Sequence, residues 1–587
     1  VINIVSKKPK GQGLNVVLSG GYTQATYGSY TSSSVFNYRK GKLNLYGSYG
    51  YSKRKKDHQE TEYIIYQSPG GYSDWENSKS GIRSGGANSY KFGLDYDLTD
   101  KQVLGMLVTG YNGQNARTNN VRTNIYNDHE SAADSVLQTT NLTNGRTNQY
   151  SFNLNYKVKL DTSGQSLNVD LDYARYQNTS SQYVNNLSYL ADGRLASSPY
   201  RIYTPSSQQI DIYSAKVDYT YKLGKVWSLE SGIKYSSIKT RNRFDFYNNA
   251  GALPVLITAN SDHFEYAENT AAAYTSISGT LGKWSLEGGL RAENTHTRGY
   301  SLTLDSVNTN RYFKLFPSLF LVYKLSKDHE LNLTYGYRIN RPDYWRLNPF
   351  KSYTSPYTFL VGNPALQPAF ISNGELGYTY RQQYNLTLFY RRTTDYFSNI
   401  TVQDNVSKVL YDTQQNLDLS QETGITASFP VKPASWWEIN NYLQGSYRQE
   451  KSGYLQGSYN YHTLTAYLSS NHSFIINKSR GLKAELSAWY SSPSLQGIYK
   501  LARTYDVSAG LRKTLLKGQG TLRLAVNDIF YGNPYRINVD YLNQHNGFYE
   551  KNDTRSVTLS LSYRLGSNVS ATRKRSTASE EEKRRAN

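Results

Sequence analysis

Cysteine is absent from all 587 residues and methionine occurs once. Without a thiol there is no disulfide framework, no thiolate metal centre and no cysteine nucleophile. The chain also lacks any stretch of about 18 consecutive apolar residues, which excludes a helical membrane span. No charged segment followed by an apolar one opens the sequence at Val1, so no secretory signal is visible there. No glycine-rich phosphate loop follows a strand and opens a helix, and no nucleophile, base and orienting group stand out together. These absences argue against an enzyme and imply no cofactor. Mean hydropathy is low, at −0.67. Disorder is nevertheless a poor reading of the whole chain, because disordered segments are poor in aromatics and this one is 14% aromatic.

What is present is alternation. In Phe152, Leu154, Tyr156, Val158 and Leu160 the apolar residues share one parity, while Asn153, Asn155, Lys157 and Lys159 hold the other. Period two means a strand with one oily and one wet face. The same pattern returns in Leu167 to Tyr173, Leu331 to Tyr337, Leu522 to Val526 and Val557 to Tyr563. Each run is about ten residues, the length a tilted strand needs to cross a bilayer. Only every second residue of such a strand meets lipid, so the low mean hydropathy is expected.

Connections alternate as well. Short turns fall near Lys40-Gly41, Asp100, Ser163-Gly164, Gly224, Gly282, Lys327-Asp328, Gln382-Gln383, Pro433, Ser479-Arg480 and Gly518. Between them lie longer polar stretches, near 54 to 88, 113 to 148, 181 to 209, 244 to 263, 342 to 370 and 531 to 554. Pairing strands across these turns predicts an all-β fold: a closed antiparallel transmembrane β-barrel of about 22 strands, with short periplasmic turns and long extracellular loops. Closure removes the sheet edges, whose unpaired N–H and C=O groups would each cost several kcal/mol in hydrocarbon. A soluble propeller or sandwich array gives no reason for ten-residue strands or for loops that are long on one side only.

The residues 1–10, Val1-Ile2-Asn3-Ile4-Val5-Ser6-Lys7-Lys8-Pro9-Lys10, resemble the segment that closes the plug and enters the barrel in TonB-dependent receptors. Phe264, Tyr266, Glu268, Asn269, Ala272 and Tyr274, then Gly289-Leu290-Arg291, Glu293 and Thr295, look like a hairpin of that family. Leu315-Phe316-Pro317-Ser318-Leu319, Arg338-Ile339-Asn340-Arg341-Pro342, Leu347-Asn348-Pro349-Phe350 and Gly362-Asn363-Pro364 are similar to the outer-membrane β-barrel family of Bacteroidota-type receptors. Asn527-Asp528-Ile529-Phe530 and Ser562-Tyr563-Arg564-Leu565-Gly566 extend the likeness.

The resemblance implies a receptor barrel in the bacterial outer membrane, importing a scarce nutrient such as a siderophore, another metal complex, an oligosaccharide or a peptide. It divides the chain into the end of the plug and linker (1–10), a barrel (11–566) and a disordered, charged periplasmic tail (567–587). It implies a plug domain and a TonB-binding box, both lacking from these residues and expected before Val1, and with them the TonB complex as partner. Outer-membrane lipid, lipopolysaccharide and a surface lipoprotein complete the expected partners, with no nucleic acid. The alternative is a non-energised outer-membrane pore or a surface adhesion and assembly scaffold.

Among candidate site residues, tyrosines on strand ends read first as interfacial girdle, since their rings prefer the headgroup boundary. Loop aromatics are better ligand candidates: Tyr72, Trp75, Tyr344 and Trp345. Arg338 and Arg341, at lumen parity, suit an anionic ligand because guanidinium forks match carboxylate and phosphate. Arg291 and Arg523 read as plug-facing lumen residues that pair with plug carboxylates. Lys53, Lys55 and Lys56 suit lipopolysaccharide phosphate or a solvated loop base. The histidines, among them His58, His129, His263 and His296, lack the close spacing of zinc ligands, so no metal site is expected. Asp128-His129-Glu130 reads as a solvated acidic cluster. The net charge of +21 is compatible with nucleic acid, anionic lipid, an anionic ligand or an acidic filler of the lumen, and by itself selects none.

Overall fold

On the strand Ser135–Lys159, Phe152 and Leu154 are exposed while Asn153 between them is only 3% exposed. One parity faces outward and the other faces the interior, as alternation dictates. The computed structural model describes residues 12–128, 130–303, 305–453, 457–566 and 577–586. Repetition of this pattern builds 22 long antiparallel strands, from Gly13–Gln24 to Ser556–Gly566, that close into a barrel. Asn15–Gln24 pairs with Val557–Gly566, with Ser19 opposite Ser562. No helix among the described residues is long and apolar enough to cross a membrane. The strands do the crossing.

Periplasmic turns are tight. Gly41 and Gly282 sit at φ of 53° and 57°, a left-handed conformation that a side chain would penalise. Outside the barrel, Leu18, Leu559 and Leu561 are exposed in the apolar band. Tyr22 lies beside Tyr30 at its outer margin, and Trp284 beside Tyr323 at its periplasmic margin, in tilted pairs with ring centroids 5.1 and 4.3 Å apart. Aromatic belts of this kind mark the two interfaces.

The expected loops on the first half of the chain need correction. Leu43–Ser68, Gly71–Asp97 and Gln102–Asn127 are strands of 26, 27 and 26 residues. Most of 54 to 88, 113 to 148 and 181 to 209 is therefore ladder. About ten residues suffice to cross the bilayer, so the remainder stands outside it. The outward positions of Leu43–Ser68 mark the boundary: Tyr49 and Tyr51 are followed by Lys53, Lys55 and Gln59. Beyond the lipid nothing demands an apolar outward face, and the alternation that betrays a strand disappears. The first external hairpin, between Gln24 and Gly28, is also tight.

Pairing changes with height. Leu43–Lys53 pairs with Tyr30–Lys40, while farther out His58–Ile65 pairs with His545–Asn552 from the far end of the chain. One stretch of the expected disordered tail 567–587 is corrected too. Glu580–Ala586 is an α-helix, with Glu582, Arg585 and Ala586 buried. Its charges meet opposite charges of the barrel wall, which sequence composition does not reveal. The segments 1–10 and 567–576, with Asn587, lie outside the described residues.

Candidate functional site in the barrel lumen

The external connection 341–368 folds inward and roofs part of the lumen. Backbone groups leaving a sheet need new partners, and the stretch 341–368 finds them on the inner wall. Tyr353 N–H donates to Gln182 Oε1 at 3.2 Å, and its carbonyl accepts from the Gln182 and Asn141 amides, both at 2.7 Å. Thr358–Leu360 adds in parallel to Leu410–Asp412. Next to it Tyr499–Leu501 pairs with Ile537–Val539, and the Tyr499 hydroxyl donates to Asp412 at 3.2 Å. There Ile400, Leu417, Tyr459, Ile498, Tyr499, Ile537, Val539 and Tyr541 form a buried cluster. The mouth is thus a packed structure.

Beneath the roof lies a charged wall. Glu268 stands on the inner face of Asp262–Leu281, and Arg291, Glu293 and Thr295 share the inner face of Trp284–Ser301. Arg341, just past the end of His329–Asn340, donates to Glu293 at 2.6 Å, Thr295 at 3.1 Å and the Tyr312 hydroxyl at 3.2 Å. Arg291 donates to the other Glu293 oxygen and lies over the Tyr274 ring at 5.2 Å. Burying charges is costly unless each is paired and hydrogen-bonded, and this chain of groups meets that condition.

The predicted site residues separate into distinct places. Arg341, Tyr344 and Arg291 come together, the first two at the base of the roof and the third joined through Glu293. Tyr344 is 2% exposed, packed against the inner wall. Trp345 is exposed, with the Arg346 guanidinium 4.8 Å over its ring. Arg338 is exposed on the same strand that leads to Arg341. Trp75 packs with Ile64, Tyr66, Ile125, Leu137 and Leu410, edge-on to Tyr357 of the roof, so its ring is structural in this arrangement. Tyr72 lies at the outer end of Gly71–Asp97, where its carbonyl accepts from Asp128 N–H at 3.1 Å. Arg523 pairs with Glu485 of the wall at 3.0 Å. Sequence reasoning missed the role of Glu268, Glu293, Asn141 and Gln182. Their inward parity was readable, but their partners come from distant strands.

The structure also assembles a group that the histidine spacing hid. His58, Glu60 and Glu550 offer three ligand atoms within 4.8 Å of one another. His58 Nε2 lies 3.3 Å from Glu60 and Nδ1 3.2 Å from Glu550. Lys79 approaches Glu60 at 3.1 Å and Arg83 approaches Glu550 at 3.5 Å. Two carboxylates facing two permanent cations are already neutral, which disfavours a metal ion. His129 lies outside the described residues.

This group sits outside the bilayer, where Lys53 and Lys55 already face outward. Burial and the charges of Arg83 and Lys79 push His58 down, but hydrogen bonds to Glu550 and Glu60 outweigh them and hold it above its ordinary value. Burial raises Glu60, yet the His58 bond and the Lys79 charge win and hold it at about 2. A raised histidine contributes stability fully below its unfolded value of about 6.5, and loses it as pH climbs through the folded value. A depressed carboxylate contributes above its ordinary value of 4.5 and loses it as pH falls toward about 2. The tie between 58–65 and 545–552 is therefore strongest from near pH 4.5 to about 6.5 and weakens as pH climbs through the raised His58 value. His58→Ala should lower the hydrogen-exchange protection of that ladder by several-fold, since the two half-buried carboxylates lose the imidazole that both of them contact. An unchanged ladder from pH 5 to 9, in both wild type and variant, counts against the tie.

Several solved structures share this architecture. The ferric yersiniabactin uptake receptor FyuA from Yersinia pestis aligns with a TM-score of 0.55 at 15% identity, covering 96% of this chain and 82% of that one. The copper transporter OprC aligns at 0.60 and 10% identity, covering 95% and 82%. The alcaligin outer membrane receptor FauA from Bordetella pertussis aligns at 0.53 and 12% identity, covering 95% and 77%. At such identities the likeness is one of fold. No curated protein sequence matches the chain. Residues 158–563 match the outer membrane protein beta-barrel family, and with the closed 22-strand barrel in hand, the chain is a member of that outer-membrane family.

Proposed function

We propose that this chain is the wall and roof of an outer-membrane receptor that imports a scarce nutrient with energy delivered through TonB. The observation that supports this most is the packed roof over a wide barrel. A barrel of this strand number encloses a large lumen that its own side chains cannot fill. An open pore gains nothing from ordering long loops across its mouth, whereas an importer must stay shut until cargo binds. In this reading a plug domain with a TonB-binding box, not among these 587 residues, fills much of the lumen. Arg291 and Arg523 face it. Trp345 and Arg338 are exposed for cargo, with Tyr72 at the rim, while Trp75, Tyr344 and Arg341 hold the roof in place. Lipid and lipopolysaccharide cover the outside, and a surface lipoprotein is a fitting partner for the roof. The cargo classes are a ferric siderophore, another metal complex, an oligosaccharide or a peptide, and the chain acts as a transporter and not as an enzyme.

The test is a strain lacking the complete gene, grown in media each limited for one cargo class. The expected result is loss of accumulation in one class, reproduced by removing TonB. Accumulation that persists without TonB would identify a passive pore. Unchanged accumulation with lost surface attachment would identify an adhesion scaffold.

A further inference from the structure

A lumen-facing position in a large barrel is ordinarily polar. One sector of this wall departs from that rule. Ala174, Tyr176, Ile210, Ile212 and Ile238 are all on the inner face, and each is at most 5% exposed. They are covered by Tyr344 from the roof and by Ala586 from the helix Glu580–Ala586. An apolar patch on a wet wall is a docking surface, and here its occupant is visible.

Charge complementarity fixes how that occupant lies. The helix carries Glu580, Glu581 and Glu582, then Lys583, Arg584 and Arg585. Its acidic half meets wall cations: Glu582 accepts from Lys234 at 2.8 Å and from Ser236 at 2.6 Å, and Glu581 accepts from Arg341 at 2.8 Å. Its basic half meets a wall anion. Arg585 forks onto both oxygens of Glu268 at 2.6 and 3.0 Å, with both side chains almost fully buried. Ahead of the helix, Ser579 N–H donates to Asp172 at 2.8 Å. The helix also grips the roof. Arg585 donates to the Pro342 carbonyl at 2.9 Å, and its own carbonyl accepts from Tyr344 N–H at 3.1 Å.

We propose that this sector of the wall is a peptide-binding cradle whose ligand is the chain's own segment 577–586, and that the docked segment straps the base of the 341–368 roof to the barrel. Every charge of the cradle named above has a partner on the segment, and the segment's buried arginine has its only anionic partner among the described residues in Glu268. Without the segment, Glu268 and the isoleucines face water, and the roof loses its hold at Pro342 and Tyr344. The inference needs the barrel and its roof but not the identity of any cargo, so loss of uptake and loss of the strap are separable results.

The absence of native cysteine makes a clean test possible. In the full-length protein in native membranes, Ser236→Cys with Glu582→Cys is treated with a short bis-maleimide. A link between these positions closes a long loop and alters the mobility of the heat-unfolded chain. Ser19→Cys with Ser562→Cys, whose hydroxyls lie 3.1 Å apart across the barrel closure, serves as the reference. Both pairs are expected to link. A linked reference with no link between 236 and 582 overturns the proposal, including the case where another domain fills the cradle. In the same membranes Arg585→Glu should speed tryptic cleavage at Arg346 and Lys351 by ~10-fold or more, because two buried carboxyl groups then oppose each other. Adding Glu268→Arg should restore protection. Cleavage unchanged by the first substitution, or not restored by the second, equally overturns it.

Discussion

Replacing Arg341 with alanine is expected to loosen the roof by ~1.5–3 kcal/mol, the worth of a buried charged hydrogen bond, since Glu293 keeps Arg291 as its second cation. Glu293 is 5% exposed at its side chain and Arg341 4%, so water cannot take the place of the lost guanidinium. The same substitution removes a hydrogen bond to Thr295, one to Tyr312 and the ion pair to Glu581. Arg341→Lys should recover only part of the loss, because an ammonium is a point charge and cannot fork between Glu293 and Glu581. Hydrogen exchange across 341–368 reads the effect. The amides of Asn363 and Leu366, which bond within the roof, should exchange faster, while the closing strand Ser556–Gly566 keeps its protection. Equal loosening of both regions, or of neither, would show that the Arg341 pair does not hold the roof.

The second large effect tests the orientation of the wall. Leu561 is exposed on the outside of the closing strand and Ser562, its neighbour, meets Ser19 on the inside. Leu561→Arg should destabilise the barrel by ~2–4 kcal/mol, the cost of a cation facing the middle of the bilayer. Ser562→Arg, one residue along, should be far milder because its charge enters a wet lumen. Urea midpoints of refolding into phospholipid vesicles measure both. Similar costs at the two positions would mean that the faces are assigned wrongly.

The sequence made the membrane-spanning tier legible because lipid enforces its rule at every second residue. Phe152 and Leu154 against Asn153 are read outward and inward from letters alone, and the structure agrees. The outer tier hid itself for the same reason. Past Tyr51 the outward residues become Lys53, Lys55 and Gln59, which suit a solvated strand as well as a loop. Trp75 read as a loop ligand, but its strand continues beyond the lipid and its ring closes a core beneath Tyr357. The charged site was the least legible part. Arg341 was singled out by its guanidinium and local motif, whereas Glu268 acquires its meaning from Arg585, 317 positions away. The helix 580–586 looked like a solvated tail because an acidic block followed by a basic one, with no apolar periodicity, carries no sign of the wall that complements it.

The change of pairing partner with height has a mechanical consequence. Within lipid the first and last strands zip together over Asn15–Gln24 and Val557–Gly566, and above the membrane the ladder of His58–Ile65 with His545–Asn552 fastens the same two ends of the chain again. Prising the cylinder apart sideways would mean undoing two clasps at once, one of them shielded from water. A path that leaves both clasps closed runs along the long axis of the cylinder and not sideways into the surrounding bilayer.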